Sequence, residues 1–184
     1  MLVSAPIRNT LGYSLIELMV GIALIAVLAG LGATSYRDWI ENTRIRSAAE
    51  SIQNGLQVAR AEAVKRNAQV QFVFTGNSAW TVGCVVAVGD ADGDGADDCP
   101  ATIKSRNQNE GSTANITVLT TPAAQTSVVF SNLGATTGAS FTSVDINSTA
   151  VSGSRALRIT VGVGGNIRMC DPAVAQSSDD SRKC

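Results

Sequence analysis

Asp90, Asp92 and Asp94 stand at alternate positions, with Gly93 and Gly95 between and after them and Asp97 and Asp98 close behind. Alternate carboxylates converge on one hard cation, and glycine permits a sharp turn, so the stretch reads as the opening of a calcium loop. The position where a calcium-binding helix–loop–helix needs a bidentate glutamate is Ala101, which leaves Asp97 or Asp98 as substitutes in a shorter loop. The other reading is a solvated acidic turn, where Asp and Gly are favoured for backbone reasons. Beyond this loop the sequence offers little reactive chemistry. It has no histidine, the commonest general base and metal ligand. No Ser or Cys stands at a spacing that indicates a Lys or Asp activator. The expectation is a protein that is not an enzyme and has no cofactor, with calcium at the aspartates as the open exception.

Four cysteines remain, Cys84, Cys99, Cys170 and Cys184. In an exported domain an even number reads first as disulfides. Three pairings are open, and the sequential one closes two short loops, each worth about 3 kcal/mol in the chain-entropy picture. Zinc is the rival, unsupported by a CxxC pair or a histidine.

The elements that must position these groups follow from composition and pattern. The 184 residues carry a formal net charge of −1, so no global basic field draws nucleic acid. From Leu18 to Tyr36 no residue is charged, and Glu17 stands at the start of that run. At ~1.5 Å per residue such a helix spans most of a ~30 Å hydrocarbon core, and a carboxylate at its rim needs a partner. Gly12 precedes the apolar run, whereas a secretory signal places its small-residue cleavage site after it.

Gly12-Tyr13-Ser14-Leu15-Ile16-Glu17-Leu18 resembles the processing motif of type IV prepilins and type II secretion pseudopilins. The resemblance implies a prepilin peptidase that cuts between Gly12 and Tyr13 and methylates the new amino terminus of Tyr13. It places the leader, residues 1–12, in the cytoplasm, with Arg8 on that side. Most relatives carry Phe where Tyr13 stands, and the proline common within the apolar stretch is absent here.

Residues 13–36 are expected to form the hydrophobic, membrane-spanning and filament-core half of a helix, and residues 37–66 its amphipathic half. Trp39, Ile40, Ile45, Ala48, Ala49, Ile52, Leu56, Ala59 and Ala63 recur at spacings near three and four, the stripe of a core-facing helix. Glu41, Arg44, Glu50, Arg60, Glu62 and Lys65 are assigned to the other faces, and Asn67 to the stop. Residues 56–66 resemble the helix end of the GspH/FimT branch of minor pilins, in which a β-rich lobe follows. Alternation predicts strands at 69–75, 79–88 and 156–163, and 113–121, 127–132 and 140–147 are further strand candidates. Gly164-Gly165 is expected to form a two-residue hairpin turn into 166–170. Residues 104–113 read as an exposed loop. The fold class is therefore α+β: a long N-terminal helix packed on an antiparallel β lobe, residues 67–172, with a loose polar tail at 173–184 apart from any Cys170–Cys184 bond.

Gly165-Asn166-Ile167-Arg168 resembles the final-strand glycine-arginine-x-arginine signature of that branch, with Asn166 in place of the first arginine. In FimT-type pilins the signature implies binding of double-stranded DNA in natural transformation. Arg168 would carry it here, with Arg182, Lys183, Arg155 and Arg158 adding charge. Asp171, Asp179 and Asp180 offset that charge, and the alternative is a surface arginine on a closing hairpin. The expected function is a minor pilin of a type IV pilus, with a type II secretion pseudopilin as the alternative. Its partners would be other pilin subunits, with Glu17 accepting the Tyr13 amine of a neighbour. It would sit in the inner membrane with its lobe in the periplasm, then in the pilus at the cell surface.

Overall fold

The computed structural model of the chain describes residues 12–90, 93, 98–110 and 112–184, with side chains described for all of these except 31–35. Apart from Gly12, the expected leader lies outside them, as do Asp92 and Asp94. The chain divides into two units, Met1–Arg37 and Asp38–Cys184.

Helix α1, Leu15–Lys65, begins in the first unit and ends in the second. Ser14 caps its start: the Ser14 hydroxyl accepts the Glu17 N–H at 3.2 Å, an arrangement Ser-x-x-Glu favours. In the first unit the apolar side chains of α1 face outward, Leu15, Ile16, Leu18, Met19, Leu24 and Leu28 among them. No helix among the described residues is long and apolar enough to cross a membrane. Residues 31–35 of the apolar run are outside the described side chains.

In the second unit α1 is buried along Ile45, Ala48, Ala49, Ile52, Leu56, Ala59 and Ala63, as the periodicity predicts. Two assignments need correction. Trp39 is 63% exposed, and Glu41 is buried at 6%. At ~100° per residue Trp39 falls about 120° from the stripe centred on Ile45, whereas Glu41 falls only about 40° from it. The helix stops as Asn67 takes a left-handed φ of 50°. The Asn67 N–H reaches the Val64 carbonyl and the Ala68 N–H the Ala63 carbonyl, which together satisfy the last turn.

Among the described residues the chain after the helix makes nine strands in two antiparallel sheets. They are β1 (Val70–Phe74), β2 (Trp80–Cys84), β3 (Lys104–Arg106), β4 (Ile116–Thr121), β5 (Ser127–Phe130), β6 (Thr136–Thr137), β7 (Ser143–Ser148), β8 (Leu157–Val161) and β9 (Ile167–Cys170). The first sheet runs β3-β2-β1-β5-β6 and the second β4-β7-β8-β9. Val70, Phe72, Trp80, Val82, Val128 and Phe130 from the first sheet and Ile116, Val144, Ile146, Ile159 and Val161 from the second share one core with the helix stripe. Gly55 lets α1 come close: a Cβ there would lie 2.8 Å from the Phe72 ring and 3.0 Å from Trp80. The Trp80 indole N–H donates to the Ser51 hydroxyl at 3.0 Å, which keeps the buried nitrogen satisfied.

Several predicted strands end early. β2 stops at Cys84 because β1 begins only at Val70. The Val85 N–H still reaches the Gln69 carbonyl, but beyond it no strand among the described residues lies opposite, and Val86 is exposed. Val88 instead bridges Cys99. β8 stops at Val161, and Val163 is exposed at the tip of the following turn. That turn is longer than the two-residue Gly164-Gly165 reading. The Gly162 N–H still pairs with the Asn166 carbonyl, the Gly165 N–H returns to the Gly162 carbonyl, and Gly165 adopts a φ of 76°. This is a three-residue hairpin loop closed by a left-handed glycine. Residues 104–113 are only partly a loop, since β3 pairs with β2 from Val82↔Lys104 to Trp80↔Arg106. Its two charged residues carry no apolar alternation, so the pattern gives no strand signal.

Candidate functional site

Cys84 bonds to Cys99 and Cys170 to Cys184, the sequential pairing. The first bond holds the base of the aspartate loop, where the Cys84 N–H also reaches the Pro100 carbonyl. Within the loop the Asp90 carboxylate accepts the N–H of Gly93, three residues on, at 2.7 Å, and Gly93 has a left-handed φ of 79°. Among the described residues no three His, Cys, Asp or Glu side chains converge on a point that could hold an ion. The calcium reading also names Asp92 and Asp94, which lie outside the described residues.

At the other end of the chain the expected loose tail is folded back. The Asp171 N–H donates to the Arg182 carbonyl at 2.7 Å, and Asp171 bridges Lys183. The Lys183 ammonium reaches the Ser178 carbonyl at 2.8 Å. Arg168, on β9, donates through one guanidinium nitrogen to the Ser181 and Lys183 carbonyls, both at 2.9 Å. With the Cys170–Cys184 bond these contacts tie the tail to the last strand, and they are the physical reason that it is not loose.

The fold therefore gathers Arg168, Arg182, Lys183 and Arg155 at one corner, but their charges meet counter-charges there. Arg155 pairs with Asp171 at 2.9 Å, and Arg182 pairs with Asp180 at 2.5 Å. The Arg182 guanidinium and N–H bring the Asp180 carboxyl down to about 2. At Asp171 burial opposes ionisation, but the Arg155 guanidinium and the Ala173 N–H outweigh it and hold the carboxyl below the usual range. Arg158 stands apart, in a two-pronged pair with Asp145 on β7 at 2.6 and 2.8 Å that raises its own pKa.

At the N-terminal motif Tyr13 is exposed, and Glu17 sits in the first turn of α1 with its side chain exposed. A carboxylate there favours the positive end of the helix dipole. Among the described residues no cation pairs with it. The sequence reading missed the role of Asp171, which it counted only as an offsetting charge. Asp171 is buried, accepts from Arg155 and from the Ala173 N–H, and is the hinge of the tail. The signal was present in Asp171-Pro172, a turn-initiating pair. It also missed the tie between Glu41 and Ser148, whose hydroxyl donates to the carboxylate at 2.8 Å. No local pattern marks that contact.

Two family descriptions match the chain. Type II transport protein GspH matches residues 48–165, and the prokaryotic N-terminal methylation motif matches residues 7–33. No curated protein matches. Among solved structures, the type IV minor pilin FimU of Pseudomonas aeruginosa PAO1 is similar in fold. In one crystal form it has a TM-score of 0.55 at 17% identity, covering 76% of this chain and 98% of that one. A second crystal form gives a TM-score of 0.51 at 17% identity, covering 72% and 98%. The minor pseudopilin EpsH from the type 2 secretion system of Vibrio cholerae has a TM-score of 0.47 at 16% identity, covering 71% and 99%.

Proposed function

Because the chain belongs to the GspH family, the minor pilins and pseudopilins of type IV pili and type II secretion, we propose that it is a minor subunit of a type IV pilus, held in the inner membrane by its helix until it enters the filament. A prepilin peptidase cuts between Gly12 and Tyr13 and methylates the Tyr13 amine. The matched methylation motif, residues 7–33, supports this step. The observation that carries the assembly reading is the outward apolar surface of α1 in the first unit, where Leu15, Ile16, Leu18 and Met19 are each more than half exposed. Burying one such side chain in lipid or against a neighbouring helix is worth about 1.5–3 kcal/mol, so assembly is driven by covering that surface.

Glu17 sets the register. Inside the apolar bundle an unpaired carboxylate is costly, and the Tyr13 amine of the adjacent subunit neutralises it. Glu17→Ala is expected to leave cleavage after Gly12 intact and to reduce incorporation into sheared filaments at least tenfold, the factor that about 1.4 kcal/mol of lost pairing supplies. Normal incorporation of that variant would remove Glu17 from the mechanism. Membership of a type II secretion pseudopilus is the alternative system. Deleting the gene and scoring surface filaments against protein secretion separates the two.

A second reading, contact with double-stranded DNA, draws support from the gathering of Arg168, Arg155, Arg182 and Lys183 at one corner. The pairing of Arg155 with Asp171 and of Arg182 with Asp180 weakens the net field. A gel-shift titration of wild type beside Arg168→Ala tests it. Salt-sensitive binding lost in the variant supports the reading, and its absence at micromolar protein ends it.

A further inference from the structure

The two sheets end in four edge strands, β3 and β6 in the first and β4 and β9 in the second. An open edge displays backbone N–H and C=O groups to any extended chain, so proteins guard their edges with short strands, charges or a covering segment. Three of the four are guarded. β3 is three residues long and carries Lys104 and Arg106. β6 is two residues long, and the Thr136 N–H is taken by the Val163 carbonyl. β9 carries Arg168, which holds the folded-back tail.

Among the described residues β4 has none of these devices. Its six residues, Ile-Thr-Val-Leu-Thr-Thr, are uncharged and β-favouring. No charged residue occurs between Glu110 and Asp145. Leu119 stands 68% exposed in the middle of the strand. In an antiparallel ladder every second residue exchanges bonds with its partner strand. The Thr149 N–H donates to the Asn115 carbonyl at 2.9 Å and fixes that alternation. Thr117 and Leu119 therefore turn their backbone groups toward β7, and Val118 and Thr120 turn theirs to the open side. The pairable stretch is bounded at both ends: the Ile116 N–H is already taken by the Thr113 carbonyl, and Pro122 has no N–H.

We propose that β4 is a docking edge for β4 of a second copy of this chain, antiparallel, with the two-fold axis at Leu119. Val118 then faces Thr120 of the second copy, and both carry open backbone groups, so the ladder closes in register. Leu119 meets its own copy across a non-hydrogen-bonded pair, with Cβ atoms about 4.5–5.5 Å apart, and its exposed side chain is covered. The strand is self-complementary about that residue. Thr117 and Thr121, and Val118 and Thr120, are β-branched residues at matching distances from Leu119, and no charge repels the copy. A symmetric contact needs this self-matching patch, and a charged foreign strand would find no counter-charge on β4.

The test uses the full processed chain in detergent micelles. Among the described residues there is no free cysteine, so an added thiol is read alone. Under mild oxidation Leu119→Cys is expected to form a covalent dimer about tenfold faster than Val163→Cys, an exposed control on a turn, because only a paired edge holds two thiols at disulfide distance. Helix-driven association in the micelle raises both variants alike, so the ratio reports the edge. Hydrogen exchange at Val118 and Thr120 should slow as wild-type concentration rises. Leu119→Lys should lose that dependence while keeping its thermal midpoint. Equal dimer rates for the two cysteine variants, exchange that ignores concentration, or protection that appears only with a different protein would each overturn self-pairing.

Discussion

Gly55 shows how a single residue can be misjudged from sequence. In a helix interior glycine costs about 1 kcal/mol against alanine, so the sequence presents it as a tolerated weakness. The structure gives it a purpose, because the helix meets Phe72 and Trp80 there with no room for a methyl group. Gly55→Ala sets the two effects against each other. Both rings are buried in the core and cannot step aside cheaply, so overpacking of about 1–3 kcal/mol should outweigh the propensity gain. A lower urea midpoint checks this, and an unchanged or higher midpoint would mean that the rings yield. Glu41 teaches the complementary lesson. Its position near the buried stripe was computable from the helical repeat, and so was one partner, Arg44, three residues on, which donates to the carboxylate at 2.5 Å; the other, Ser148, lies far along the chain and leaves no local mark.

Among the elements, those with a strong period were legible: the helix from its three-and-four stripe, and β1 and β8 from alternation, with β5 and β7 named only as candidates. The elements that sequence misread are held by long-range contacts instead. β3 exists because β2 offers it an edge, and the tail is ordered by Arg168, Asp171 and the Cys170–Cys184 bond. The tail carries two predictions. Replacing Cys170 and Cys184 together by serine should cost about 3 kcal/mol in the chain-entropy picture and raise hydrogen exchange first in residues 171–184. Tail exchange identical to wild type would show that the hydrogen bonds suffice. The second prediction is a pH dependence. The folded carboxyl of Asp171 lies below its unfolded value near ~3.9, so its contribution is complete above that pH and is lost as pH falls through the lower folded value. Asp171→Asn should therefore melt below wild type at neutral pH, with the gap narrowing once the pH drops under ~4. A gap that stays constant into acid would assign the loss to packing rather than to charge.

At the scale of the whole molecule, the chain divides after Arg37. A change in hydrophobic pattern marks the place: uninterrupted apolar residues give way to a one-sided stripe. Among the described residues every core residue, from Ile45 onward, lies in Asp38–Cys184, as do both sheets and both disulfides. Two side-chain ties also fix the first turns of that unit from within: Glu41 accepts from Ser148, and Asn42 accepts the Arg155 N–H at 2.9 Å. The unit thus contains the contacts that its own helix needs. A chain starting at Asp38 should fold in one cooperative transition, within about 0.5 kcal/mol of the full chain, since the described core residues all lie in Asp38–Cys184. It should stay in solution without detergent, whereas the full chain should need detergent or lipid to cover Leu15, Ile16, Leu18 and Met19. Thermal and urea unfolding of the two proteins, each with its disulfides formed, makes the comparison. A shortened chain that unfolds without cooperativity, or well below the full chain, would mean that residues 1–37 hold the lobe together as well as anchoring it.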